Sequence, residues 1–364
     1  MFRYAGIVII SMMALMSAPR AHAQAGGSAV PFLLIAPDAR ASGMGEVGTA
    51  LADDINAVYW NPGGLGFLDY FDPPYGFDEE AELNPYRQVA LSFSPWLPQF
   101  NADLYYSYLT VGQHFEDLNG TVAFNFIFMN LGEFQRTFAN GTRAGTFISN
   151  EFALGLSYGT IIAPNLGAGI HVRYIQSNLT PTTQNSQQAG TGISVAFDLG
   201  LLWKPVNLPF IEDRLSLGFN IQNIGPKITY IQEADPLPTN LKLGAAYSLF
   251  KDEFNDVTLA MDFGKLLVNR DELGSDPIPV SFVTAWENPG MEFSIGMEYW
   301  YQQIIAFRGG YFTEPAALGD RQFYNLGAGV RYDIFKLDFG YIITVEDNHP
   351  LANTMRFSLL VDWE

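Results

Sequence analysis

From residue 86 to the C-terminus the side chains alternate, one apolar and the next small or polar, in runs of about ten residues. Phe152, Leu154, Leu156 and Tyr158 stand against Ala153, Gly155, Ser157 and Gly159. Phe293, Ile295, Met297 and Tyr299 stand against Ser294, Gly296, Glu298 and Trp300. A period of two sends alternate residues to opposite faces of a strand, so this sheet has one greasy face and one wet face. Strands of about ten residues cross a bilayer when tilted. Aromatics fall near the run ends, at Tyr158, Tyr174, Tyr247, Tyr299, Tyr311, Tyr341 and Trp363. Interface girdles of membrane barrels lie at such positions. A soluble sandwich would alternate too, but this chain offers no separate hydrophobic core to cover so many apolar faces. An open sheet edge in lipid leaves backbone groups without partners, so the sheet must close.

Fifteen runs are candidates: 86–94, 101–111, 120–130, 147–161, 165–177, 190–203, 213–223, 239–249, 256–263, 280–288, 291–301, 303–312, 323–332, 335–344 and 353–362. Bacterial single-chain barrels have even strand numbers, short periplasmic turns and long outer loops. With residue 86 starting upward, the long connections 131–146, 178–189 and 224–238 fall outside and the turn 163–165 falls inside. Dropping 280–288, which Pro277 and Pro279 weaken as a strand, makes 264–290 one outer loop. The expectation is an all-β transmembrane fold, a 14-stranded antiparallel outer-membrane barrel.

Residues 1–23 read as a cleaved signal peptide, with Arg3, the apolar run Gly6–Ala18 and the small-x-small site Ala21-His22-Ala23. The mature chain is therefore expected to be exported and, its spans being β, to lie in the outer membrane of a Gram-negative bacterium. A formal net charge of −19 argues against nucleic acid as a partner. With no cysteine there is no disulfide, thiolate metal site or acyl anchor.

Residues 24–85 do not share the alternation. Within them PDARASGMGEVGTALADDINAVYWNPGGL (37–65) is rich in Gly and Ala, carries Asp53-Asp54 and closes on Asn61-Pro62-Gly63-Gly64. Small residues allow close backbone packing. An Asp caps a short helix over 55–59, and the Asn-Pro-Gly turn ends it. We expect an N-terminal luminal plug using Asp38, Arg40, Gly43, Gly45, Gly48, Asp53, Asp54, Asn61 and Pro62. The acidic stretch 69–82 reads as a solvated linker to the barrel at 86–364, the alternative being a divalent-cation or partner site. The wet face supplies His171, Arg173, Asp198, Glu298, Arg308, Arg331 and Arg356, with Asn125, Asn220, Gln222, Lys242, Asp262, Asp338 and Asp362. Both charge signs occur, unlike the single-sign ring of an ion-selective pore. The plug acids are expected to meet arginines such as Arg173, Arg331 or Arg356.

Chemistry-bearing motifs are sparse. Gly43-Met44-Gly45-Glu46-Val47-Gly48 matches G-x-G-x-x-G, but no strand leads directly into it and no βαβ unit follows. His114, His171 and His349 lie far apart, without metal-ligand spacing. No nucleophile motif is present. Neither a cofactor, a metal nor an enzyme is expected.

The segment ending ALADD…NPGGL resembles the plug of FadL-like outer-membrane barrels. More narrowly, PFLLIAPDARASGMGEVGTA resembles the start of the PorV family, with further similarity at SPWLP (94–98), NIGPKITY (223–230), LPTNLKLG (237–244), DFGKLLV (262–268), EYWY (298–301), RGGYF (308–312) and RFSLL (356–360). The resemblance implies an outer-membrane component of the type IX secretion system. Such a protein accepts cargo by C-terminal β-sandwich signal domains from the translocon barrel and carries it to the surface sortase complex. It implies the translocon, the cargo, the sortase complex, and outer-membrane lipids and lipopolysaccharide as partners, with outer loops 224–238 and 264–290 as contact surface. The alternative is a FadL-type channel for hydrophobic small molecules. Continuous apolar lining in the outer half of the lumen would favour that alternative.

Overall fold

A computed structural model describes residues 27–68, 87–100, 102–138, 140–180, 190–205, 214–230, 233–271, 274–288, 290–316 and 318–363. The expected signal peptide at 1–23 and the acidic 69–82 stretch lie outside the described residues.

Fourteen antiparallel strands close into a barrel. They are β1 (Arg87–Pro95), β2 (Tyr105–Phe115), β3 (Gly120–Thr137), β4 (Arg143–Ala163), β5 (Leu166–Thr180), β6 (Gly190–Trp203), β7 (Leu215–Ile224), β10 (Asn240–Lys251), β11 (Asn255–Leu266), β14 (Glu292–Tyr301), β15 (Ile305–Thr313), β16 (Gln322–Tyr332), β17 (Phe335–Thr344) and β18 (Met355–Trp363). The short pairs β8 (Ile228–Tyr230) with β9 (Glu233–Asp235), and β12 (Arg270–Asp271) with β13 (Gly274–Ser275), stand apart from the wall. Strands β1 and β18 close the seam from Arg87–Trp363 to Phe93–Phe357.

Alternation becomes an inside and an outside. Leu156, Val172, Val195, Leu326 and Phe357 are exposed, while their neighbours Ser157, His171, Ala196, Asn325 and Arg356 are buried. The outward set faces lipid. No helix among the described residues is long and apolar enough to cross a membrane. At the short-turn end, Asn119, Asn165 and Asp333 take left-handed backbone angles, φ 48°, 61° and 52°, which Asn and Asp tolerate best among side-chain-bearing residues. Tyrosine hydroxyls bond at the rims: Tyr158 donates to the Leu118 carbonyl at 2.7 Å and Tyr299 to Asn255 at 2.8 Å.

The run 280–288 is a one-turn helix Ser281–Thr284 followed by a 3-10 turn Ala285–Glu287 in the outer loop. Two expectations need correction. The second strand begins at Tyr105 rather than 101, because Pro98–Phe100 forms a 3-10 turn and the Trp96 N–H reaches back to the Leu104 carbonyl at 2.9 Å. The connection 131–146 is mostly strand. β3 and β4 keep pairing past a bulge between Asn130 and Glu133, where Gly132 adopts φ 83°. Beyond the bulge both faces are wet, so the apolar alternation that marks a membrane strand is lost.

Residues 27–68 lie within the ring of strands. They form 3-10 turns at Pro31–Leu34 and Pro62–Phe67 and one-turn helices at Ala39–Ser42 and Ala57–Trp60. They touch walls on opposite sides: an added Cβ at Gly43 would lie 2.8 Å from the Gly327 Cα on β16, and one at Gly63 would lie 2.8 Å from the Leu202 nitrogen on β6. Ala29 donates to Pro236 at the outer mouth. At the periplasmic end, Ile55 donates to Gln88 near the start of β1, at 2.7 Å.

Candidate functional site

The short helices of the segment are tied by one carboxylate. Asp38 caps Ala39–Ser42 by accepting from the Ala41 N–H at 2.8 Å. Its other oxygen accepts from the Trp60 indole N–H at 2.6 Å. The second helix starts at Ala57, two residues later than expected, without a side-chain cap. Asp54 instead accepts from the Asn56 N–H at 2.8 Å. Asn61 starts the following 3-10 turn by accepting from Gly63 at 3.0 Å, and its amide donates to the carbonyls of Thr49 and Leu201 at 2.8 and 2.9 Å.

The G-x-G-x-x-G glycines are packing residues. Gly45, at φ 76°, sits where a Cβ would be 2.7 Å from the Tyr311 nitrogen. A Cβ on Gly48 would lie 2.2 Å from the Trp60 ring. The Gly48 N–H and the Thr49 N–H and hydroxyl all donate to one Asp262 oxygen of β11, at 2.9, 2.9 and 2.7 Å. Three donors thus converge on one buried carboxylate oxygen, while the other oxygen of Asp262 is buried without a hydrogen-bond partner. Pro62 lies against glycines of the wall: a Cβ at Gly169 would be 2.1 Å from its carbonyl oxygen, and one at Gly200 would be 2.7 Å from its Cδ.

Charged contacts gather on β14–β18. Arg40 reaches Glu298 of β14 through two bonds, at 3.0 and 2.8 Å, and also pairs with Asp53 and, at 3.4 Å, with Asp54. Glu298 accepts in turn from Arg308 at 2.6 Å, and Arg308 donates to Asp338 at 2.8 Å. The Lys336 ammonium stands 3.9 Å from Asp54 and 4.0 Å from Asp338. Glu46, itself at φ 63°, accepts from Arg356 of β18 at 3.0 Å. Burial would lower the Arg40 guanidinium, but the carboxylates of Asp53 and Glu298 outweigh it and hold it above its ordinary value. Burial raises the Asp54 carboxyl, against the pull of Lys336 and Arg40.

These contacts correct the expected pairing. Of the three named arginines only Arg356 meets an acid of the segment, and that acid is Glu46. Arg173 pairs with Asp198 across β5 and β6, and Asp198 also accepts from the Asn223 N–H at 2.7 Å. Arg331 lies over the Trp300 ring at 5.4 Å. His171 bonds Ser157 through Nδ1 at 2.6 Å. The main bond of segment to wall has the opposite sign from the one expected, with the base Arg40 on the segment and the acid Glu298 on the wall. Lys336, Gln88, Ser358 and Glu46 were not singled out in the sequence. Strand parity places Gln88, Lys336 and Ser358 inward, but parity does not say which segment atom each meets.

Above the Pro31–Leu34 turn lies a cavity of about 830 Å³ at the outer mouth. Its lining mixes Leu34, Ile35, Leu97, Leu131 and Leu351 with Glu151, Lys265, Glu292 and Arg321. Lys265 donates to the carbonyls of Asn288 and Gly290 at 2.7 and 3.0 Å, which ties the long outer loop down onto β11. Among the described residues no group of three or more His, Cys, Asp or Glu is arranged to hold a metal ion.

A family model, Type IX secretion system protein PorV, matches residues 19–272. No curated protein matches the chain. Solved structures share its fold. The Pseudomonas putida toluene transporter TodX superposes with a TM-score of 0.52 at 11% identity, over 89% of this chain and 96% of that one. A Pseudomonas aeruginosa FadL homologue gives 0.50 at 13% identity, over 93% and 99%. The monoaromatic hydrocarbon channel CymD gives 0.51 at 12% identity, over 90% and 96%.

Proposed function

The chain belongs to the PorV family, outer-membrane components of the type IX secretion system, and from that premise we propose that it is a cargo shuttle. It accepts proteins from the translocon barrel by their C-terminal signal domains and hands them to the surface sortase complex, which does the chemistry. Residues 24–85 act as its plug, with Asp38, Arg40, Asp53, Asp54 and Asn61 holding the plug in the barrel. The observation that carries the reading is the filled lumen. Residues 30–68 meet the wall on opposite sides through buried hydrogen bonds and ion pairs, which suits a barrel that works through its outer surface rather than its bore.

The test is deletion of the gene. Uncleaved proteins with C-terminal signal domains should build up in the periplasm and return to the surface when the wild-type copy is restored. Normal secretion after deletion would sink the shuttle. A second reading, a channel for hydrophobic small molecules, draws on the outer cavity and its leucines. The charged residues in the same lining interrupt the continuous apolar surface that such a channel needs. Lost uptake of an aromatic compound or fatty acid with secretion intact would promote it.

A further inference from the structure

Strands β3 and β4 run on past the barrel. The last β2 partner on β3 is Asn130, and the last β5 partner on β4 is Asn150. The two strands nevertheless keep pairing from Glu133–Ile148 to Thr137–Arg143. Where the wall ends, outward-facing side chains bond in series: Tyr174 to Gln176 at 2.9 Å, Gln176 to Asn178 at 3.0 Å, and Asn178 to Asn150 at 2.9 Å. Such an amide ladder cannot lie in hydrocarbon at low cost, so it marks the water side of the apolar band. The ribbon beyond it stands in water.

That position is at odds with its side chains. Phe134, Phe138 and Ile148 are 47, 60 and 65% exposed. The rings of Phe134 and Phe147 stack at 5.8 Å. Among the described residues no strand pairs with the outer edge of either arm. A two-stranded ribbon alone is marginally stable, and an open, apolar edge is a template for strand addition. The ribbon is also cationic, with Arg136 and Arg143 against Glu133, on a chain of net charge −19.

We propose that this ribbon docks an acidic edge strand of a β-sheet protein domain. Backbone groups pair along the open edge, the exposed aromatics are buried in the contact, and the two arginines select the acidic edge. The inference rests on the shuttle reading, in which that domain is the signal domain of the cargo.

Two full-length variants in the native outer membrane test it. One combines Phe134→Ser and Phe138→Ser with Arg136→Glu and Arg143→Glu. The other replaces residues 134–146 by Asn-Gly, which shortens the ribbon beyond the rim and leaves the wall intact. Barrel assembly is read from heat-modifiable gel mobility. Both variants should assemble and lower release of a tagged cargo about tenfold, as expected for loss of a central apolar contact. A photo-crosslinker at Thr146 of the otherwise wild-type chain should join the cargo signal domain. Assembled variants that secrete at the wild-type level overturn the proposal, as does a Thr146 crosslink to lipid alone. If the substituted variant fails to assemble, the shortened one decides. Gene deletion keeps the two claims apart. Normal secretion without the gene sinks the shuttle, whereas blocked secretion without the gene and normal secretion with either variant sinks the ribbon only.

Discussion

The two sides of the lumen hold the same segment by different physics. On β4–β7 the contact is small and uncharged: Gly159, Gly167, Gly169, Gly200 and Gly218 let the backbone of residues 49–67 approach the wall. Asn220 and Gln222 donate to the carbonyls of Trp60 and Tyr59. On β14–β18 glycines recur at Gly296, Gly310 and Gly327, but Arg40, Glu46 and Asp54 add ion pairs with Glu298, Arg356 and Lys336. A backbone contact between glycines fails sterically or not at all. A charged contact can be weakened in steps by changing one partner. The first side is therefore a fixed seat and the second an adjustable clasp.

The largest effect should come from the seat. Gly169→Val puts a branched side chain where even a Cβ would lie 2.1 Å from the Pro62 carbonyl. With backbone on both sides neither can yield, and overpacking of this kind costs at least about 1–3 kcal/mol. The folded fraction on heat-modifiable gels should fall sharply. Gly309→Ala, whose nearest neighbour would be at 4.0 Å, should assemble normally. Equal behaviour of the two would break the steric account.

Next comes the centre of the clasp. Glu298→Ala strips a buried partner from both Arg40 and Arg308, but Arg40 keeps Asp53 and Asp54 and Arg308 keeps Asp338, so the loss stays below that of an uncompensated buried charge, about 3–5 kcal/mol. The barrel should still close, since the strand pairing is untouched, while residues near Arg40 become open to protease. Protection equal to wild type would count against the clasp. Reversing Asp53 and Asp54 to Lys sets two cations beside Arg40 and Lys336. Antibiotic sensitivity or single-channel leak should rise, by less than in a strain whose protein lacks residues 27–68. Unchanged permeability would mean that the seat alone holds the segment. Asp53→Asn should do least, because the Asp53 side chain is about half exposed and such pairs contribute about 0–1 kcal/mol. A thermal shift as large as that of Glu298→Ala would remove the ranking.

The wall was readable in the sequence because lipid outside and water or protein inside force one alternation on every strand. Fourteen strands and the exclusion of 280–288 from the wall follow from that rule together with connection lengths and two prolines; the short helix at 281–284 does not. The strand extension past Asn130 was not readable, since a ribbon wetted on both faces loses the contrast that signals a membrane strand. Inside the lumen, composition marked the segment and parity marked the inward charges. Pairing was harder. Glu46 meets Arg356 from a left-handed backbone position, φ 63°, beside Gly45, where neither helix nor strand periodicity tells which way a side chain points. Asp53 and Asp54 stood out as a doublet, yet the residue that connects the network is the single base Arg40.

The direction of the N-terminal segment bears on how the barrel is assembled. Ala29 bonds at the outer mouth, Ile55 bonds beside the first residues of β1, and β1 closes the ring against β18. The chain thus passes lengthwise through a ring whose seam is made by the strand that follows it and by the last strand of all. Some thirty residues of the segment are buried inside that ring, many against glycines of the wall. Laid in first, the segment would act as a mandrel for the wall, and a chain lacking residues 27–68 should then close its β1–β18 seam more slowly than the full chain on heat-modifiable gels.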